Sequence, residues 1–199
     1  ASRQQRRAEE RHAGCTEQSL LVQTTQIKGR ELRPELPERI FMLHVKALSI
    51  NDVLPPELAS YEELSRVHSE AYLESLQQPE TLARIFAVDA TEGTDEVLRS
   101  IRLAVGGTCV AAKETLRTGH PAMNLLGGFH HAAPGRGAGF CALNDVAVAI
   151  ASLREGGFVG RVNIIDLDFH PPDGTAECVA ADSAVWLGSI SGESWGPLP

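Results

Sequence analysis

The amino-acid sequence predicts an α/β fold, a three-layer arrangement in which a parallel sheet carries helices on both faces. Short, nearly continuous apolar runs alternate with longer stretches of helical periodicity, which is the pattern of strands buried on both sides. Each run passes straight into a polar or glycine-rich cluster, and in parallel sheets chemistry gathers at those carboxyl ends. With 199 residues, 43% hydrophobic and 22% charged, the chain has the composition of a globular domain and not of a disordered or fibrous one.

Taken in order, residues 1–30 are polar and weakly patterned. Arg3, Arg6 and Arg7 have no apolar stretch behind them, so this is a polar N-terminal segment and not a secretory signal. The α/β domain is expected over 31–199. Pro34, Pro37, Pro55 and Pro56 break the next stretch into short pieces, with a helix expected over 38–48. Ser60 is placed to cap a helix over 61–77, with Glu62 and Glu63 in its first turn and Leu64, Val67 and Tyr72 on one face.

Thr94 caps a longer helix through 116, which Gly119 and Pro121 stop. Gly106 and Gly107 lie inside it at a cost of about 1 kcal/mol each against alanine, so another element is expected to pack closely there. Asn144 caps a helix over 145–154, ended by Gly156-Gly157. The expected strands are Met123-Asn124-Leu125-Leu126, Val162-Asn163-Ile164-Ile165 and Ala184-Val185-Trp186-Leu187.

Charge and cysteine content narrow the function classes. The 18 basic and 26 acidic residues give a net charge of −8, and a nucleic-acid groove relies on a basic surplus. Direct nucleic-acid binding is therefore not expected, and neither is a membrane span, since no run reaches roughly 18 apolar residues. Cys15, Cys109, Cys141 and Cys178 form no C-x-x-C pair, so a zinc knuckle or a secreted disulfide framework is not expected. A reducing, cytoplasmic setting follows. The chain opens on Ala1 instead of Met and stops at Ser-Trp-Gly-Pro-Leu-Pro, and both ends read as cut.

Three clusters carry chemistry. In Asp166-Leu167-Asp168-Phe169-His170, strand alternation puts residues 166, 168 and 170 on one face. Two carboxylates and an imidazole there call for a positive partner, and aspartate oxygen with histidine nitrogen suits zinc. The alternative is a strand end with solvated acids.

In Gly127-Gly128-Phe129-His130-His131, the glycines allow a sharp turn before a histidine pair. Each histidine would need a carboxylate on its far nitrogen to set its tautomer, and Asp166 and Asp173 are the candidates. Gly137-Ala138-Gly139-Phe140-Cys141 reads as a flexible loop, with Cys141 a buried small apolar residue before it is a nucleophile. His12, His44, His68 and His120 read as structural or exposed.

Together these segments resemble the zinc-dependent histone deacetylase family, on the arginase/deacetylase fold. The strings are Gly-Gly-Phe-His-His-Ala at 127–132, Gly139-Phe140-Cys141, Asn144-Asp145-Val146-Ala147, and Asp166-Leu167-Asp168-Phe169-His170 with Asp173-Gly174-Thr175. The resemblance is greatest to the class IV and prokaryotic branch, which Glu63-Leu64-Ser65-Arg66-Val67-His68-Ser69 and Gly106-Gly107-Thr108 also fit. It covers roughly residues 35–192.

The resemblance implies a hydrolase that removes acyl groups from acyl-lysine or a related acyl-amine. It makes Asp168 and His170 two of three zinc ligands, His131 the general base and then acid, and His130 its electrostatic partner. Asp166 would pair with His130 and Asp173 with His131. Phe140 would wall the acyl-lysine tunnel, and Gly139 would offer its carbonyl to the substrate amide. Asp166, Asp168, His170, Ser189 and Ile190 match the surroundings of the family's potassium ion. The third zinc ligand and the oxyanion-stabilising tyrosine would lie beyond residue 199.

This sequence departs from the family at Pro171-Pro172, directly after the ligand histidine, and at Ser191, where the family has a histidine. The proline pair and the site residues expected beyond 199 keep a second reading in view, a catalytically silent deacetylase-fold protein that binds acylated ligands or partners. An arginase-like manganese ureohydrolase is a more distant third, because its two-metal site needs further Asp-rich strand ends.

Overall fold

A three-stranded parallel sheet is the frame of the computed structural model, which describes residues 20–24, 53–88 and 94–192. Strands β1 (Leu20–Thr24), β2 (Val162–Asp166) and β3 (Val185–Ser189) lie in that order, with Ile164 opposite Val22 on one side and Leu187 on the other. The central place of β2 explains its composition. Val162, Ile164 and Asp166 are buried, while Asn163 and Ile165 are half-buried.

The described residues also form six helices: α1 (Tyr61–Ser65), α2 (Glu70–Ser75), α3 (Pro79–Phe86), α4 (Thr94–Thr118), α5 (Asp145–Glu155) and α6 (Asp173–Val179). Helix α5 is the hub. Val146, Ala147, Val148, Ala149, Ile150, Ser152 and Leu153 are all buried, as expected of a helix enclosed over most of its circumference. Its apolar residues share one core with Leu64, Val105, Leu143, Val162 and Ile164. Helix α4 lies along it, and Gly106 is what admits the chain from below: a Cβ there would fall 1.7 Å from the Glu57 carbonyl oxygen. The glycine pair is a packing device, as its position in the helix implied.

Capping agrees with the sequence at Ser60 and Asn144, whereas Thr94, expected as a cap, is the first residue of α4. The Ser60 hydroxyl accepts from Glu63 N–H while the Glu63 carboxylate accepts from Ser60 N–H, a reciprocal capping box. The Asn144 side-chain oxygen accepts from Ala147 N–H. Gly119 ends α4 with a φ of 72°, which glycine adopts without strain.

Four expectations are corrected. The single helix over 61–77 is two helices, because the chain leaves α1 so that Ser69 N–H can donate to the Pro134 carbonyl and the His68 ring can reach residues 133 and 144. Met123-Asn124-Leu125-Leu126 is not a strand. There the Asn124 side-chain nitrogen donates to the Ala104 and Leu126 carbonyls, and that local turn replaces a ladder. Strand β2 stops at Asp166, so residues 168 and 170 do not share a strand face with it. Finally, β1 lies inside the segment whose composition read as polar and weakly patterned, and α3 was not anticipated. The helix expected over 38–48 lies outside the described residues. No helix among the described residues is long and apolar enough to cross a membrane.

Candidate active site

The carboxyl end of β2 and the loop over 127–134 meet at one edge of the sheet. Asp166 is the last residue of β2, and its carboxylate lies 2.8 Å from His130 Nδ1. Both side chains are about 1% exposed. Beside them, His131 Nδ1 lies 2.6 Å from Asp173, the first residue of α6. The two rings are adjacent, with centroids 4.2 Å apart, and the His170 ring stands edge-on to His131 at 5.7 Å. A carboxylate can only accept, so in each neutral ring the proton sits on Nδ1 and the lone pair on Nε2.

Asp168 and His170 come together by a route other than strand alternation. After β2 the chain bends, and Asp168 N–H donates to the Asp166 carboxylate at 2.9 Å. The Asp168 carboxylate then accepts from His170 N–H at 2.8 Å and lies 2.8 Å from His170 Nδ1. These are successive aspartate turns, a local alternative to extended backbone. Burial works against the Asp168 anion, but the His170 hydrogen bonds and the neighbouring His130 and His170 outweigh it and hold the carboxyl below its ordinary value. Asp173 is also held below its ordinary value. Burial opposes that shift, and the His131 bond and charge, with Arg136 nearby, overcome it.

The Pro171-Pro172 pair does not carry Asp173 away from His131. Both prolines are buried, Pro172 precedes the first turn of α6, and Asp173 N–H donates to the Pro171 carbonyl. Gly174 lets α6 lie against the histidine loop, since a Cβ there would fall 2.5 Å from the Ala132 carbonyl oxygen.

Gly139 and Phe140 are brought to the same place. Gly139, at φ 54°, approaches His131 so closely that a Cβ would lie 2.4 Å from the ring. Phe140 holds a φ of 66°, costly for a side chain of its size, and its ring is half-exposed. Cys141 is buried, as its reading as a small apolar residue required. On the other flank, Ser189 is the register partner of Asp166, and Ile190 N–H donates to the Asp166 carbonyl. The Ser189 and Ser191 hydroxyls touch.

Among the described residues, no three His, Cys, Asp or Glu side chains are grouped so as to hold a metal ion. What converges is a pair, Asp168 and His170, and its oxygen-and-nitrogen chemistry is that of zinc donors. One further atom bears on the fit. His130 Nε2 is buried without a hydrogen-bond partner and lies 3.6 Å from the Asp168 carboxylate. A buried polar nitrogen is costly to leave unpaired, and this one faces the donor pair. The residues present therefore fit two of the three protein ligands of a catalytic zinc.

Sequence reasoning missed the support beneath these groups. Asp145, to which the sequence assigns no role beyond its place in the Asn144-Asp145-Val146-Ala147 string, is 1% exposed and accepts from Gly128 N–H, Phe129 N–H and the Thr108 hydroxyl. Burial pushes its carboxyl up, and those donors pull it back part of the way. Asn144 not only caps α5 but donates through its side-chain amide to the Ala132 carbonyl and Thr175 Oγ. His68 accepts from Asn144 N–H at Nε2, which makes Nδ1 the donor to the Ala133 carbonyl. It is a neutral structural histidine, and burial takes it down to about 4. The one available signal was the Asn-Asp pair opening a helix that is apolar through most of its length.

A parallel α/β sheet with these imidazole–carboxylate pairs at its carboxyl edge has the architecture of the arginase/deacetylase fold. Residues 33–194 match the histone deacetylase domain. The chain is 33% identical to histone deacetylase 8 of Xenopus tropicalis, over 84% of this chain and 49% of that one. It is 37% identical to the acetoin utilization protein AcuC of Bacillus subtilis, over 65% of this chain and 36% of that one.

The crystal structure of an HDAC homolog from Aquifex aeolicus superposes with a TM-score of 0.63 at 27% identity, covering 88% of this chain and 51% of that one. An HDAC homolog complexed with SAHA gives 0.61 at 30% identity, covering 76% and 44%. This chain belongs to the histone deacetylase family. It spans about half, or less, of the length of the relatives it matches.

Proposed function

We propose that this chain carries the proton-handling part, and two of the metal donors, of a zinc-dependent deacylase acting on acyl-lysine or a related acyl-amine. The observation that carries the reading is the tandem arrangement of His130–Asp166 and His131–Asp173 beside Asp168 and His170. Asp168 and His170 would hold the zinc. When bound, zinc polarises the scissile carbonyl and lowers the pKa of a coordinated water to about 7.

The chain's own residues supply the remaining steps. Asp173 holds the proton on His131 Nδ1, so His131 Nε2 takes a proton from the attacking water and returns it to the departing amine. His130, tied to Asp166, keeps its Nε2 toward the same space and acts as the electrostatic partner of His131. Gly139 would offer its carbonyl to the substrate amide, and Phe140 one wall of the acyl-lysine channel. Asp166, Asp168, His170, Ser189 and Ile190 would surround a potassium ion that fixes the β2–β3 edge. The substrate is thus an acylated protein or small acyl-amine.

The test is metal analysis and peptide deacetylation by the whole gene product. Zinc bound near one equivalent and lost in the Asp168→Ala, His170→Ala double variant supports the reading, as does chelator-sensitive turnover. Equal zinc content in the variant would count against the ligand assignment. Zinc binding without turnover would favour the silent, ligand-binding alternative that Pro171 and Pro172 keep in view.

A further inference from the structure

The hydrogen bonds of Asp145 run toward the histidine pair. Its carboxylate accepts from Gly128 N–H at 3.0 Å, Phe129 N–H at 2.8 Å and the Thr108 hydroxyl at 2.6 Å. Those two amides belong to the residues just before His130. On the far side of the pair, the adjacent Asn144 donates to the Ala132 carbonyl at 2.9 Å. Two consecutive residues at the start of α5 therefore grip both ends of a stretch, 128–132, whose middle holds both rings. The fit is close, since a Cβ on Gly127 would fall 2.5 Å from the Asp145 carboxylate.

A carboxylate in this place is costly, because these three donors are uncharged and a buried anion gives up hydration worth several kcal/mol. An apolar side chain or an amide would fill the volume at lower cost. Neither offers two acceptor oxygens, however, and an amide would turn its NH₂ toward a backbone N–H. The carboxylate does one thing its substitutes cannot: it receives all the donors of the loop at once.

We propose that Asp145 is a positioning residue of the site, holding the 128–132 backbone so that the His130–Asp166 and His131–Asp173 pairs both form. Its catalytic consequence rests on the deacylase reading, but its effect on the rings does not. A misplacement of about 1 Å at a reacting group costs up to roughly a hundredfold in rate. Asp145 touches neither the zinc donors nor the substrate-facing nitrogens and acts through the loop alone.

The experiment compares the chain with its Asp145→Asn and Thr108→Val variants by nitrogen-15 NMR of the histidine rings. The His68 ring serves as the internal marker of folding. Asp145→Asn is expected to keep the His68 signals while shifting or losing the Nδ1–H signals of His130 and His131. Thr108→Val leaves both loop amides held and is expected to keep all three sets. In the whole gene product, Asp145→Asn should lower kcat roughly ten- to hundredfold with little change in KM.

Unchanged His130 and His131 signals in Asp145→Asn, with only a lowered unfolding midpoint, would overturn the proposal, as would equal ring changes in Thr108→Val. If Asp145→Asn does not fold, amide exchange in the unsubstituted chain decides. Gly128 and Phe129 protected like the interior of α5 support the proposal, and exchange as fast as an exposed loop overturns it. Intact ring pairs without turnover in the unsubstituted gene product would sink the deacylase reading and leave the positioning role standing.

Discussion

Around α5 and the histidine loop, polar side chains are buried as deeply as apolar ones, whereas around β3 large apolar side chains stand in water. His68, Asn144, Asp145 and Thr175 are at most 1% exposed, yet Phe169 and Trp186 are each 58% exposed and Ile190 75%. Apart from His130 Nε2 and one Arg154 nitrogen, the first region tolerates buried polarity because donors and acceptors are matched: Asn144 meets Ala132 and Thr175, His68 meets Ala133 and Asn144, and Asp145 meets Thr108, Gly128 and Phe129. The second presents its apolar groups without a covering element among the described residues. Asp168 and His170 lie on the border between the two. Under the proposed roles, the proton-handling pairs are thus set in the region of buried polarity, and the metal donors at its rim.

The sharpest way to break this comparison is through the loop's chemistry. Under the proposed roles, His131→Ala lowers kcat of the whole gene product by roughly 10²–10⁴ while zinc content is unchanged, which steady-state kinetics with metal analysis would check. Near-native turnover in that variant would remove the role.

Packing gives the next largest contrast. Ile164 is buried at the centre of the sheet, so Ile164→Ala is expected to cost about 2–5 kcal/mol in urea unfolding. The same truncation at exposed Ile190 should stay within about 0.5 kcal/mol. Similar losses at the two positions would erase the distinction between the regions.

A pH titration probes the buried polar network directly. His68 titrates at about 4 in the folded chain against an ordinary 6.5. Between those values the unfolded state binds the proton and the folded state does not, so stability falls as pH drops through that window. The full effect is roughly 3 kcal/mol at 1.36 kcal/mol per unit. Urea unfolding of the chain and of His68→Gln from pH 7 to 4 should show a steeper acid loss in the unsubstituted protein, and parallel curves would contradict the burial argument.

The smallest effect is on the open side. Trp186→Thr keeps strand propensity and is expected to change unfolding free energy by no more than about 0.5 kcal/mol. It should nevertheless reduce concentration-dependent self-association, measured by analytical ultracentrifugation, because exposed aromatic surface drives such contacts. Unchanged association would mean that the β3 face is not the adhesive one.

The sequence alone determined those features that depend on local chemistry. Val162-Asn163-Ile164-Ile165 announces a central strand by its apolar continuity, Ser60-x-x-Glu63 and Asn144 announce helix starts by their capping groups, and Gly106 announces a close approach by its misfit with helix propensity. The residues that gather at the site were also legible, because two histidines after a glycine pair and an Asp-x-Asp-x-His after a strand are rare combinations with few other uses.

Tertiary structure alone decided where helices break, how donors meet and what supports them. Nothing between residues 66 and 69 forbids a continuous helix, and it breaks because His68 and Ser69 find partners at residues 133, 134 and 144, more than sixty positions away. Asp168 and His170 meet through turns and not through a strand face, because the Asp166 and Asp168 carboxylates capture the next available N–H groups. Asp145 shows its role only once α5 is laid against Gly128 and Phe129. A hydrogen bond between residues distant in sequence leaves no periodicity behind, so only the folded chain reveals which buried charge holds the site together.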